Sequence, residues 1–218
     1  MLRTLLLAPL LVILPLGQAA ALTTDDVRPY FVADAGMGYV DLGDAERDLD
    51  RIADDDDISG STSTKNTSFA YILGIGWHIG PYVAIELNYF DLGEYDATFS
   101  ADNNDALESV IDFSGFGARG IARWPLTESW SVDVGLGAAQ MDTRLRREFK
   151  PGSSSSNGGA VERYSSTDVV MNASLGTQYR LSREWSLRAQ YLYFNDVGDS
   201  STGRDDIQVL TVGAQFFF

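Results

Sequence analysis

From Asp206 to Phe218 the chain alternates strictly: Leu210, Val212, Ala214, Phe216 and Phe218 form an apolar row, while Thr211, Gly213 and Gln215 between them are small or polar. Period-two alternation marks a strand whose two faces meet different surroundings. Seven earlier stretches repeat it, near residues 30–40, 68–78, 82–91, 112–124, 130–142, 168–180 and 185–194. The apolar parity runs from Phe31, Ala33, Ala35, Met37 and Tyr39 in the first to Trp185, Leu187, Ala189, Tyr191 and Tyr193 in the seventh, and none of these rows carries a charge. Each stretch has roughly 10 to 13 residues, the length of a tilted membrane-crossing strand. A strand that turns its apolar row to lipid deprives its backbone of water, so every peptide group needs a partner on a neighbouring strand and the sheet has to close. The pattern predicts an all-β fold, an eight-stranded antiparallel up-and-down transmembrane β-barrel spanning residues 22–218.

The spacers sharpen this. Ile79-Gly80-Pro81, Pro125 to Ser129 and Leu181 to Glu184 are short turns, whereas 41–67, 92–111, 143–167 and 195–205 are long and hydrophilic. Long and short alternate strictly, as in a barrel whose two ends face different compartments. Both termini then lie at the short-turn end. Trp77, Trp124, Trp130 and Trp185 all abut short turns. Together with Phe218 they are expected to form an aromatic girdle at one membrane interface, with Tyr39, Tyr89, Tyr191 and Tyr193 as a looser ring at the other.

Met1 to Ala21 carries Arg3, an apolar core from Leu5 to Leu16 and the small-residue stretch Gln18-Ala19-Ala20-Ala21. This reads as a secretory signal peptide removed after Ala21. Its core, interrupted by Pro9 and Pro15, is shorter than the roughly 20 residues of a helical span. An exported barrel of this kind belongs in the outer membrane of a Gram-negative bacterium, with both termini periplasmic and the long loops outside the cell.

The chain has 21 glycines, 11 phenylalanines, 10 tyrosines, 4 tryptophans and no cysteine. The composition favours sheet, and the lack of cysteine excludes thiol catalysis and thiolate metal sites. A net charge of -15 argues against nucleic acid as a partner. Much of that charge lies in the first loop, which holds Asp41, Asp44, Glu46, Asp48, Asp50 and the run Asp54-Asp55-Asp56-Asp57. These carboxylates offer hard ligands to divalent ions beside lipopolysaccharide phosphates, but their spacing fits no defined calcium loop, and a solvated, self-repelling, mobile loop is the simpler reading. The third loop pairs the basic residues Arg144, Arg146, Arg147 and Lys150 with a flexible Ser153 to Gly159 tip, and its basic part is placed to meet lipid phosphates. The one histidine, His78, sits beside a short turn and reads as a solvated turn residue rather than a catalytic base. No catalytic site, cofactor or metal is expected.

Several segments resemble the eight-stranded transmembrane domain of the outer membrane protein A family. Gly80-Pro81-Tyr82-Val83-Ala84-Ile85-Glu86-Leu87-Asn88-Tyr89 followed by Asp91-Leu92-Gly93 is similar to its third strand and second loop. Trp124-Pro125-Leu126-Thr127, Leu187-Arg188-Ala189-Gln190-Tyr191, Asn195-Asp196-Val197-Gly198-Asp199 and the aromatic terminus are similar to later landmarks, over about residues 30–218. The resemblance implies a monomeric outer-membrane barrel that contacts membrane lipid and lipopolysaccharide and engages the barrel-assembly machinery through its Phe218 strand. Full-length members continue into a peptidoglycan-binding domain, whereas this chain stops at Phe218, so the stand-alone barrels are the nearer comparison. Cell-wall tethering is not implied.

Inward parity places Asp34, Glu86, Arg119, Asp133, Gln178 and Arg188 in the lumen at roughly one level. Glu86 and Arg188 match the inward acid and base of the resembled family, with Arg119 and Asp133 as the expected second pair. Two other family positions carry Gln178 and Ile121 here, so the family's gate does not transfer whole. A barrel of eight strands is just wide enough for side chains to fill. The expected function is a structural and surface-interaction protein with a salt-bridged lumen. A narrow ion-conducting pore is the alternative, and a lipid-modifying barrel enzyme stands further off.

Overall fold

The computed structural model describes residues 27–40, 60–101, 106–150, 161–198 and 205–218. The expected signal peptide, the Asp54 to Asp57 run and the Ser153 to Gly159 tip lie outside the described residues. The strands are β1 (Val27–Val40), β2 (Gly60–Lys65), β3 (Thr67–Ile79), β4 (Val83–Ala101), β5 (Ala106–Pro125), β6 (Trp130–Lys150), β7 (Val161–Arg180), β8 (Trp185–Val197) and β9 (Asp205–Phe217).

All pairs are antiparallel, and the ring closes where β1 meets β9, from Tyr30 opposite Phe217 to Val40 opposite Ile207. β2 continues β3 across Asn66: it pairs with the distal half of β4, Lys65 opposite Asp96, while β3 pairs with the proximal half. Nine segments therefore make eight staves. The parity of the apolar rows holds: Leu136 is 67% exposed and Leu210 63%, whereas Glu86 and Gln215 on the inner parity are fully buried. Such a wall of exposed aliphatic and aromatic side chains suits lipid, not water.

Four strands run much further than the expected 10 to 13 residues: β4 has 19, β5 has 20, β6 has 21 and β7 has 20. Stretches read as loop, namely 60–65, 92–101, 106–111, 143–150 and 161–167, are paired strand. The cause is an inversion of amphipathy. Towards the short-turn end the outer face is apolar and the lumen polar. Beyond about Phe90 the inner face carries Leu92, Tyr95, Ile111, Phe113, Met141 and Leu145, all buried, while the outer face carries Asp112, Asp142, Arg144 and Arg146. A pattern that looks for apolar residues on the lipid side loses the strand at that level. A bulge marks the change on β4, where Asp91 pairs with Ser114 but Gly93 with Phe113. Gly93 has φ +81°, and a Cβ there would collide with Ser68 and the Phe69 backbone, so glycine is required.

Two of the short turns share one device. Thr127 Oγ1 accepts from the backbone N–H groups of Ser129 and Trp130, and Ser182 Oγ accepts from those of Glu184 and Trp185. The shared spacing, Leu126-Thr127 to Trp130 and Leu181-Ser182 to Trp185, holds each tryptophan at the start of its strand.

Leu136→Arg, at mid-belt, is expected to lower stability by about 2 to 4 kcal/mol, while Leu126→Arg, in a turn at the interface, costs about 0 to 1 kcal/mol. Urea unfolding in lipid vesicles measures both. Because the distal hairpins are paired strand, trypsin acting on the folded protein should leave the bonds after Lys65, Arg144 and Arg146 intact. Mass spectrometry of the fragments reads this directly, and early cleavage at those sites contradicts the extended strands.

Candidate functional site

The barrel interior is built in layers, and register decides who meets whom. Glu86 on β4 lies directly opposite Arg119 on β5. Its carboxylate is completely buried and accepts from three strands: Arg119 Nε and Nη2 at 2.9 and 2.5 Å, Arg188 Nη1 at 2.6 Å, and Tyr30 OH at 2.8 Å. Arg188 also reaches Asp34 Oδ2 at 2.9 Å, and Gln190 Nε2 donates to the same oxygen at 2.8 Å. Asp34, Glu86, Arg119 and Arg188 thus form one buried group of two acids and two bases, formally neutral. Neutrality matters because an unmatched charge in so narrow and buried a space costs several kcal/mol.

Asp133 and Gln178 belong to a different cluster, nearer the short-turn end. Asp133 lies opposite Arg123, not Arg119. Arg123 donates through Nε and Nη2 to the two Asp133 oxygens at 2.8 and 2.7 Å, through Nη2 to Gln178 Oε1, and through Nη1 to His78 Nε2 at 2.8 Å. The expected Arg119–Asp133 pair and the single ring of six are therefore corrected to two clusters, separated along β5 by the buried Ile121. The physical reason is register: parity assigns a side chain to a face but does not say which residue faces it across the strand. His78 is corrected too. Its ring is packed edge-on against Tyr30 at 4.8 Å and Phe217 at 5.0 Å rather than standing in solvent. Arg123 escaped the sequence reading although it shares the parity of Arg119. The available signal was its position four residues along the same inward row.

Room for the upper cluster comes from small neighbours. Gly137 faces Arg119, and a Cβ there would lie 2.6 Å from that residue's Cβ and closer still to the Ala118 carbonyl. Apolar layers bound the polar middle. Val32, Ala84, Ile121 and Phe217 pack with Tyr30 at the short-turn side, and a larger cluster including Ile72, Phe90, Tyr95, Met141 and Phe194 fills the distal barrel. Phe90 and Phe194 meet edge-on across the lumen at 5.1 Å. In this distal part burial pushes the Tyr95 phenol up, and burial also raises the Asp112 carboxyl, against the pull of Arg144.

Outside, Trp77, Trp124, Trp130 and Trp185 flank the short turns, and Phe218 follows β9 at the same end. Trp130 stacks edge-on to Tyr179 at 5.6 Å and its Nε1 donates to Thr177 Oγ1, and Trp185 meets Phe216 at 4.9 Å. Tyr179, Phe31 and Phe216 extend this girdle, with Phe218 in edge contact with both phenylalanines. Tyr71, Tyr89 and Phe116 form a continuous aromatic series at the other rim, where Tyr193 OH donates to Asp206 at 2.6 Å.

Replacing Glu86 with Gln leaves Arg119 without its ion-pair partner and is expected to cost about 3 to 5 kcal/mol. In Glu86→Gln/Arg119→Met the loss should fall short of the sum of the single losses by about 1 to 3 kcal/mol. A double-mutant cycle on vesicle-refolded protein measures this, and strictly additive losses would show the pair to be uncoupled.

The sequence model of the OmpA-like transmembrane domain matches residues 26–218. Outer membrane protein A of Salmonella typhi is 27% identical over 147 residues, which is 66% of this chain and 38% of that protein; the chain thus aligns with well under half of its relative's length. Among solved structures, Neisserial surface protein A superposes with a TM-score of 0.51 at 13% identity, covering 87% of this chain and 97% of that one. The attachment invasion locus protein of Yersinia pestis gives 0.45 at 11% identity, covering 87% and 98%.

Proposed function

Because the chain belongs to the family of OmpA-like transmembrane domains, an outer-membrane β-barrel class, we propose that it acts as a closed structural anchor that presents its distal hairpins to the cell surroundings. The observation that carries this reading is the filled lumen, in which a neutral four-residue ion cluster lies between two apolar layers. Opening a continuous water path through it requires separating buried ion pairs and wetting the Phe90–Phe194 layer together.

In this reading the short turns and both termini face the periplasm and the tryptophan girdle sits at the inner interface. At the level of the belt the ring is closed, with β1 on β9 and β4 on β5, so no strand edge stands there to recruit another, which supports a monomer. Lipopolysaccharide is the proposed partner at the outer rim. Its phosphates suit the outward arginines of the β6–β7 hairpin, where Arg146 lies directly opposite Arg163 and Arg144 is two residues along the same face. The alternating C-terminal strand ending in the aromatic residues Phe216 and Phe218 is the segment proposed to engage the barrel-assembly machinery. The anchor role requires no catalytic group.

Planar-bilayer recording tests the reading. Purified wild-type protein is expected to give no sustained conductance for small ions at moderate voltage. Steady wild-type openings would replace the anchor by a narrow pore.

A further inference from the structure

The short-turn mouth is lined by arginines that neither ion cluster uses. Arg28, Arg180 and Arg183 stand around a recess of about 100 Å³, floored by His78, Arg123 and Phe217. Arg28 is held in place twice: its Nη2 donates to the Arg183 carbonyl at 3.0 Å, and its guanidinium lies 5.0 Å from the centre of the Phe217 ring. The backbone N–H of Arg180 donates to Ser129 O at 2.8 Å, tying that arginine's strand to the turn on the other side of the recess. Among the described residues none of these three arginines forms an ion pair. Arg123 beneath them is committed to Asp133, Gln178 and His78. Glu128 is the one carboxylate among the described lining residues.

All three arginines are exposed residues that line one small recess, and in a chain of net charge -15 that concentration of positive charge is not a by-product of overall basicity. The arrangement gains when a shared anion enters. Thr127, also on the recess wall, adds a donor: its Oγ1 already accepts from the backbone N–H groups of Ser129 and Trp130, which leaves its hydroxyl hydrogen free to point elsewhere. Several guanidinium forks together with a hydroxyl match the oxygens of a tetrahedral anion better than the two coplanar oxygens of a carboxylate.

We propose that this mouth is a binding site for a phosphate group, held by Arg28, Arg180 and Arg183 with the Thr127 hydroxyl. The site itself does not depend on the anchor reading; only the source of the phosphate does, either a free phosphate from the periplasm or the headgroup of an inner-leaflet phospholipid.

The test uses the full chain folded in a detergent that carries no phosphate, with inorganic phosphate added at constant ionic strength against chloride. Phosphorus NMR line width and the arginine Nε–H signals report binding. A saturable response is expected in the wild type, weakened at least tenfold in R28Q/R180Q/R183Q. Glu128→Gln, which removes the opposing carboxylate and leaves the arginines in place, should tighten binding several-fold and keeps the test decisive if the triple variant misfolds. Repeating the titration in phospholipid nanodiscs separates the sources: loss of the response there assigns the site to a lipid headgroup, and its persistence to free phosphate. No saturable response over chloride, or an unchanged response in both variants, overturns the proposal. Asp25 and Asp26 precede β1 in sequence, so a response that emerges only in D25N/D26N assigns these arginines to the chain's own carboxylates and overturns it as well.

Discussion

The structure depends on one requirement: inside a lipid layer no peptide group can be left without a partner. The seam between β1 and β9, running from Tyr30 opposite Phe217 to Val40 opposite Ile207, is where the requirement is met. Closure at eight staves fixes the width, and the width leaves room for little besides side chains. Everything in the lumen then has to be either apolar and packed or charged and matched. The Glu86 carboxylate, reached by two arginines and a tyrosine, answers the second condition, and Phe90 against Phe194 answers the first.

The same wall passes through two solvents. In its proximal half the hydrophobic effect acts on the outside through lipid, and the inside carries the polar residues. In its distal half water lies outside, and the inside becomes a core of the ordinary soluble kind around Tyr95, Met141 and Leu145. A single sheet serves both because alternation is indifferent to which face is apolar. The bulge at Asp91 to Gly93 is the local adjustment on β4 at that level.

Much of the fold was legible in the chain. The rows from Phe31 to Tyr39 and from Leu210 to Phe218 report lipid contact, since lipid tolerates no charge on that face and so writes an unambiguous pattern. The distal strands were not legible as such: residues such as Asp112, Arg144 and Arg146 look like loop when they are tested against a lipid-facing template, although they alternate as well as any others. Within the lumen, the inward side of Glu86, Arg119, Asp133 and Arg188 followed from parity, and Glu86 with Arg188 was recognised as a pair. The pairing of Arg119 with Glu86 and of Arg123 with Asp133 depends on register, which is set by turn length and bulges at a distance from either residue. His78 was misread because adjacency to a turn in sequence says nothing about the aromatic pocket that Tyr30 and Phe217 build from other strands.

The inversion of amphipathy also bears on how the molecule sits in its bilayer. The outer apolar row on β6 stops after Ala138, and close to that level its inner face begins the distal core with Ala139 and Met141. Sliding the protein outward would strip lipid from Ala138 and Met171, which face each other across β6 and β7; sliding it inward would bury Asp142 and Asp112. A closed barrel has no hinge with which to absorb a poor match in thickness. In a bilayer thicker or thinner than its belt, the lipid around this protein therefore has to stretch or compress, and the immersion depth is a property of the sequence rather than of the membrane.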